Sequence, residues 1–237
     1  MKKIFTLISV FYLLINFSFA QQKELKVGIR VFPSLAWSRV EPQTYIDGNG
    51  NETNFKSQPV KFRGGFGVFG DYYFNDNFAF STGLTYYFAG SGFLYTIDSV
   101  STTVNTTIKN NYSTQHFQVP LAFKLITNEI ADNTKIYISV GVAGDIRTAT
   151  AINGESNYQP LTGASKSNND FTYLLGLNFQ VGAGVEYSLK NEMKVLLGFT
   201  YSRGLFNTSN NDAFSKLYNN SFSLKNDYVA LDLGLKF

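Results

Sequence analysis

The sequence predicts an all-β fold, an eight-stranded antiparallel up-and-down barrel. Three observations carry that prediction. Apolar residues recur at every second position in eight segments, the period of a strand with two unlike faces. The connections between those segments alternate between short and long. The two faces also differ in chemistry: one is aliphatic and aromatic, the other is rich in Gly and in ions of both signs. Composition agrees, with 23 Phe and 15 Tyr but only 2 Met and 1 Trp among 237 residues. Aromatic enrichment favours strands.

Residues 1–20 are expected to lie outside the fold. Lys2 and Lys3 precede an apolar run from Ile4 to Phe19, and Ser18-Phe19-Ala20 places small residues where a signal peptidase reads. The run is short for a membrane span, which needs about 20 apolar residues. The expected organisation is therefore a secretory signal peptide, 1–20, and one barrel domain, 21–237. Export by the general secretory route follows. The signal holds two Lys and no acid, so the remaining chain carries +1 instead of the formal +3 of the whole sequence. So small a charge is no nucleic-acid footprint. The absence of Cys removes disulfides, thiolate chemistry and a lipoprotein anchor.

The eight segments run in order over Glu24–Trp37, Val60–Phe74, Asn77–Phe93, Thr114–Ile126, Thr134–Thr148, Phe171–Leu189, Glu192–Phe206 and Asp227–Phe237. The sixth shows the period best: Phe171, Tyr173, Leu175, Leu177, Phe179, Val181, Ala183, Val185, Tyr187 and Leu189 share one face. Asn75-Asp76, Thr127–Asn133 and Lys190-Asn191 make short turns. Ser38–Pro59, Leu94–Ser113, Ala149–Asp170 and Asn207–Asn226 make long polar loops. Short turns and both termini thus fall at one end and long loops at the other. That is the arrangement of a transmembrane barrel with periplasmic termini and four long extracellular loops.

Periodicity alone does not say which face points out; a soluble barrel would turn its apolar face inward. Composition decides. Lys26, Arg30, Lys61, Arg63, Asp71, Lys124, Asp145, Arg147, Glu186, Lys194, Asp232 and Lys236 all fall on the polar face. An eight-stranded interior is just wide enough to be filled by side chains, so Gly and paired ions suit the inside and the bulky apolar residues suit hydrocarbon. Only helices and closed barrels satisfy every backbone group in lipid. Trp37, Tyr72, Phe74, Phe78, Tyr86, Phe88, Tyr187, Tyr201 and Phe206 gather near segment ends, as interfacial girdles do. The last segment must pair with the first to close the wall. Its Val229, Leu231, Leu233, Leu235 and terminal Phe237 form a membrane-facing stripe.

Three stretches carry a family resemblance: GGFGVFGDYYFNDNFAFSTGLTYYFAGSG (Gly64–Gly92), FQVPLAFKL (Phe117–Leu125) and LDLGLKF at the end. Together they resemble the outer-membrane β-barrel proteins of the PorT-like kind, common in Bacteroidota. The resemblance implies an outer-membrane location and contact with outer-membrane lipids and lipopolysaccharide. It also implies recognition of the terminal stripe by the barrel assembly machinery, and an accessory part in protein secretion. The family's fourth strand typically has an acidic residue, Ile, Pro and Leu; here Gln118 stands at the acidic position. Pro120 should mark a bulge in the wall.

Chemistry is sparse. His116 is the single His and should lie near the outer rim, hydrogen-bonded or solvated. A lipid-modifying hydrolase would need a nucleophile within its reach. The Ser that barrel hydrolases place two residues after the His is here Gln118, leaving Ser113, Thr114 and Ser91 as weak alternatives. Asp47–Glu52 lacks the full calcium-loop spacing, Glu129 and Asp132 are too sparse for a site, and Gly64-Gly65-Phe66-Gly67 reads as a bend or close packing. No cofactor and no enzymatic activity are expected. Eight basic residues against four acidic ones on the inner face raise a small anion pore as an alternative; a salt-bridged plug fits the narrow lumen better. The expected role is structural or binding, exercised through loops whose Tyr45, Phe55, Tyr95, Tyr112, Tyr158, Phe214 and Tyr218 are candidate contacts with envelope or external partners.

Overall fold

A computed structural model describes residues 24–41, 44–46, 52–98, 105–158, 166–189, 193–210 and 223–237. The expected signal segment, the Lys190-Asn191 turn, Phe214 and Tyr218 lie outside them. Thirteen strands follow in order: β1 Glu24–Glu41, β2 Thr44–Ile46, β3 Glu52–Ser57, β4 Lys61–Asn75, β5 Phe78–Ala89, β6 Gly92–Asp98, β7 Asn105–Ile126, β8 Thr134–Ile152, β9 Asn157–Tyr158, β10 Lys166–Ser167, β11 Leu175–Ser188, β12 Lys194–Gly204 and β13 Ser223–Lys236. Eight of them, β1, β4, β5, β7, β8, β11, β12 and β13, pair antiparallel with their neighbours. The ring closes between β13 and β1. Closure leaves the wall no free edge, which is what hydrocarbon demands of a sheet. No helix among the described residues is long and apolar enough to cross a membrane.

The faces are sorted as composition predicts. Along β1, Leu25, Val27, Ile29, Val31 and Leu35 are each more than half exposed, while Lys26, Phe32, Ser34, Ala36 and Ser38 between them are buried. The same inversion of soluble-protein order holds around the ring: Phe62, Phe66, Val68, Phe123, Ile138 and Phe199 face out. Trp37 and Tyr201 stack on the outer face with ring centroids 6.3 Å apart. Val229, Leu233 and Phe237 of the last strand are exposed on that face. Small residues let the narrow interior pack: a Cβ on Gly65 would stand 2.4 Å from the Phe32 ring.

Four departures from the sequence reading have physical causes. The tight turn is Asp76-Asn77 and not Asn75-Asp76. Asn75 Oδ1 accepts from the N–H groups of Asn77 and Phe78 at 2.9 and 2.8 Å, an Asx turn that holds the chain one residue later. Pro120 makes no bulge. The β5–β7 register is the same at Thr82↔Leu121 and Thr85↔Gln118, and only the rungs between are missing. The shift lies elsewhere, between Gln115 and His116 of β7, where Thr148 is the extra residue on β8. Finally, the long polar segments are not plain loops. β7 begins at Asn105 and β8 continues to Ile152. β2, β3 and β6 add a second sheet beyond the wall in the order β2-β3-β6-β7.

Candidate functional site

The barrel interior brings charged residues from distant strands together, and it is layered along the axis. Nearest the termini, β4, β7, β11 and β13 deliver Asp71, Lys124, Glu186 and Lys236. Lys236 Nζ donates to Asp71 Oδ2 at 2.9 Å, to Glu186 Oε1 at 2.8 Å and to the Tyr73 hydroxyl at 2.5 Å. Lys124 Nζ lies 2.8 Å from Asp71 Oδ2 and 3.4 Å from Glu186 Oε1, over the Tyr137 ring. Lys194 sits 3.9 Å from Glu186 Oε2. Asp71, Glu186 and Lys236 are almost wholly inaccessible. Two carboxylates bracketed by ammonium groups satisfy each other where water is excluded, as buried charges must.

Above this cluster lies a cavity of about 60 Å³, lined in part by Arg30, Ser81, Ser139, Thr200 and Asp232. Thr200 donates to Asp232. The next layer gathers amides and hydroxyls around one carboxylate. Asp145 accepts from the Tyr87 hydroxyl at 2.6 Å, from Gln118 Nε2 at 2.8 Å and from Asn178. Gln118 Oε1 accepts in turn from Gln180 at 3.0 Å and from Tyr228 at 3.2 Å. An acid at position 118 would oppose Asp145 across this network; the amide donates to it instead.

His116 lies in the same layer and not on a solvated rim. It is buried, stacks on Tyr87 at 5.1 Å and places Nε2 2.8 Å from Thr114 Oγ1. Ser91, the distant candidate partner, is committed to Ser38 through two 3.0 Å hydrogen bonds. Of the other predicted interior charges, Lys26 pairs with Glu24 at 3.0 Å. Arg63 donates to the Gly90 carbonyl at 3.1 Å, and Lys61 donates to Asn111 at the loop end. Arg147 faces inward beside His116.

A layer that sequence reasoning missed closes the loop end. Val40, Phe55, Phe93, Tyr112, Ile152, Phe171 and Leu224 form an apolar cap contributed by β1, β3, β6, β7, β8, the 3-10 turn Asn168–Phe171 and β13. Phe55 and Tyr112, expected as exposed contacts, are fully buried here. Of the side chains of Tyr45, Tyr95 and Tyr158 nothing is described. Isolated apolar residues in polar segments read as surface, and only the Thr148 shift and the returning hairpins converge them. Among the described residues no group of three or more His, Asp or Glu is placed to hold a metal ion.

No curated protein matches the sequence. Similar solved structures include Neisserial surface protein A, at 9% identity and TM-score 0.49, covering 91% of this chain and 98% of that one. Ail, the attachment invasion locus protein of Yersinia pestis in complex with sucrose octasulfate, follows at 14% identity and TM-score 0.42, covering 90% and 99%. OprG from Pseudomonas aeruginosa stands at 14% and 0.42, covering 90% and 97%. The model of one family, described as outer membrane protein beta-barrel domain, matches residues 19–235. With its closed eight-strand ring and inverted faces, this chain belongs to the outer membrane β-barrel domain family.

Proposed function

We propose that this chain is an integral outer-membrane protein of structural or binding type. On this reading the wall anchors it and the loop-end sheet is its working surface. The observation that supports this is closure from both sides. The ionic cluster fills the termini end and the apolar cap seals the loop end, with a small cavity between. The same cap fixes β3, β6 and the outer part of β7 as a firm projection, where exposed Lys56 and Lys109 stand. Envelope or external proteins would meet that projection, and outer-membrane lipids and lipopolysaccharide would meet the aliphatic belt. The assembly machinery would read the Val229–Phe237 stripe. The PorT-like assignment within Bacteroidota, and with it an accessory part in protein secretion, completes the proposal.

The pore alternative gains no support from a lumen stopped at two levels. A hydrolase would have to use Thr114, a candidate nucleophile that His116 Nε2 meets at 2.8 Å, but both side chains are buried away from lipid and His116 Nδ1 has no partner among the described residues to orient the ring. The chain contains no Cys, which makes single-Cys probes clean. Lys56→Cys and Lys109→Cys should react with a membrane-impermeant maleimide on intact cells. The purified protein should be silent in planar bilayers. Discrete conductance steps, or probes protected from the outside, would overturn the reading.

A further inference from the structure

Charged residues of the eight-strand ring take the inward parity, with one local exception. Arg39 and Glu41 of β1, Arg203 of β12, and Lys225 and Asp227 of β13 lie on the outer face, because their strand neighbours Val40, Ser202 and Leu224 are the buried, inward ones. The three strands are adjacent. Arg39 pairs with Lys225 across one rung, and Asp227 pairs with both Trp37 and Arg203 across another. Charge on the lipid face is costly at mid-bilayer and nearly free at the interface, so this patch marks the height at which hydrocarbon stops at the loop end. Toward the termini the same face continues with the Trp37–Tyr201 stack. Exposed Leu35, Phe199 and Val229 follow.

The five charges do not cancel. Lys225 Nζ lies 3.0 Å from Glu41 Oε2, and Arg39 Nε lies 3.4 Å from Glu41 Oε1. Arg39 Nη2 donates to the Gly204 carbonyl at 3.0 Å and stands 3.6 Å from Asp227 Oδ1. Asp227 Oδ1 also accepts from the Gly204 N–H at 2.9 Å, and its side chain is buried. Arg203 is exposed, and among the described residues it makes no hydrogen bond or ion pair. Its charge is felt by both Glu41 and Asp227. Three cations against two carboxylates leave one positive charge, centred on a guanidinium with all its donors spare. Glu41 is about half exposed at 48%, so its hold on Lys225 is weak and a stronger anion can replace it.

We propose that this patch is a binding site for the phosphorylated headgroup of lipopolysaccharide. Arg203 offers a phosphate a planar pair of donors, and Lys225 turns from Glu41 to a further phosphate oxygen. The acyl chains lie along the Trp37–Tyr201 stack and over Leu35, Phe199 and Val229. Cation, aromatic ring and aliphatic side chain follow one another down one face, the order in which an anionic amphiphile standing in a leaflet presents its own parts. The loop end selects the leaflet, and the phosphorylated lipid of the outer leaflet is lipopolysaccharide. The inference rests on the outer-membrane reading above and adds to it one point of attachment on the belt.

The test uses the full chain refolded in a neutral maltoside detergent, with Trp37, the single Trp, as the reporter at the site. Purified lipopolysaccharide carrying its lipid A phosphates should shift the Trp37 emission saturably. The enzymatically dephosphorylated form should bind about tenfold more weakly, equivalent to ~1.4 kcal/mol. Arg203→Gln should weaken binding about fivefold, and Arg203→Gln with Lys225→Gln about thirtyfold, from ~1 kcal/mol for each basic residue near an anionic lipid surface. Lys135→Gln removes the same charge at the opposite end of the wall, where Lys135 pairs with Glu186 across a rung, and should change little. Heat-modifiable gel mobility should stay normal throughout. An emission indifferent to lipopolysaccharide, equal binding of the dephosphorylated form, an equal loss in Lys135→Gln, or displacement by millimolar inorganic phosphate would overturn the proposal. If a variant fails to fold, the phosphate contrast on the unaltered chain decides. A chain that never enters bilayers would overturn the outer-membrane reading itself; one that inserts and shows no phosphate preference overturns this site alone.

Discussion

Lys236 is the sharpest point at which to test the interior. Its side chain is fully buried, and its Nζ serves Asp71, Glu186 and Tyr73 at once. In Lys236→Met the methylenes are nearly replaced and the charge is lost. Asp71 then keeps Lys124 at 2.8 Å, and Glu186 keeps Lys124 at 3.4 Å and Lys194 at 3.9 Å. One close ammonium is left between two enclosed carboxylates. Breaking a buried pair by removing one partner costs ~3–5 kcal/mol, because the other charge stays behind uncompensated. Lys26→Met supplies the control. Among the described residues Lys26, itself buried, pairs with Glu24, whose side chain is about half exposed at 53%, so its removal leaves a carboxylate that water can reach and should cost less.

The assay is urea unfolding of the refolded protein in lipid vesicles, followed by fluorescence of Trp37 and by gel mobility. Adding Asp71→Asn to Lys236→Met removes the orphaned charge. The double variant should therefore recover at least ~1 kcal/mol, within the range of coupling energies between contacting residues. If Lys236→Met costs no more than Lys26→Met, or the double variant costs the sum of its parts, the four groups do not act as one cluster.

Leu233→Arg puts a charge on the outer face and should cost ~2–4 kcal/mol near mid-bilayer and impair assembly. Asp232→Asn, one residue away on the inner face, should be milder; equal costs in the same unfolding assay would mean the faces are assigned wrongly. Phe93→Ala should cost ~3–5 kcal/mol of cap packing and be read as faster protease cleavage within residues 52–98, with wall mobility on gels unchanged. His116→Ala should leave the lipid profile of the membrane as it was, and a lost acylated or deacylated species would reopen the hydrolase reading.

The wall was legible because a two-residue period has only one inward set, and ions cannot share a face with lipid. What parity cannot give is height along the axis. Asp71, Lys124, Glu186 and Lys236 were each assigned inward, but their meeting at one level depends on the stagger of four strands, which no local pattern records. The cap was illegible for a second reason. Its residues sit singly in segments dominated by Asn, Ser and Thr, so Phe55 and Tyr112 look like surface aromatics until β3, β6 and the extended β7 fold back. The Thr148 shift adds to this, since Thr150 and Ile152 face inward only because one extra residue precedes them.

Pro120 and Pro33 show why a sound local rule can mislead in a closed wall. In an open sheet a proline is accommodated by a bulge, which absorbs the missing donor by shifting one strand. In this ring a shift near the middle of a strand would turn every later side chain to the wrong face, exposing ions to lipid along the rest of its length. The bulges that do occur are placed where that penalty is small: at Phe74, one residue from a tight turn, and at Thr148, where the wall gives way to the cap. At Pro120 and Pro33 the register is kept and the rungs are forgone. The lost rungs are therefore confined to two short stretches of the wall. One of them lies on the seam where the first and last strands close the barrel.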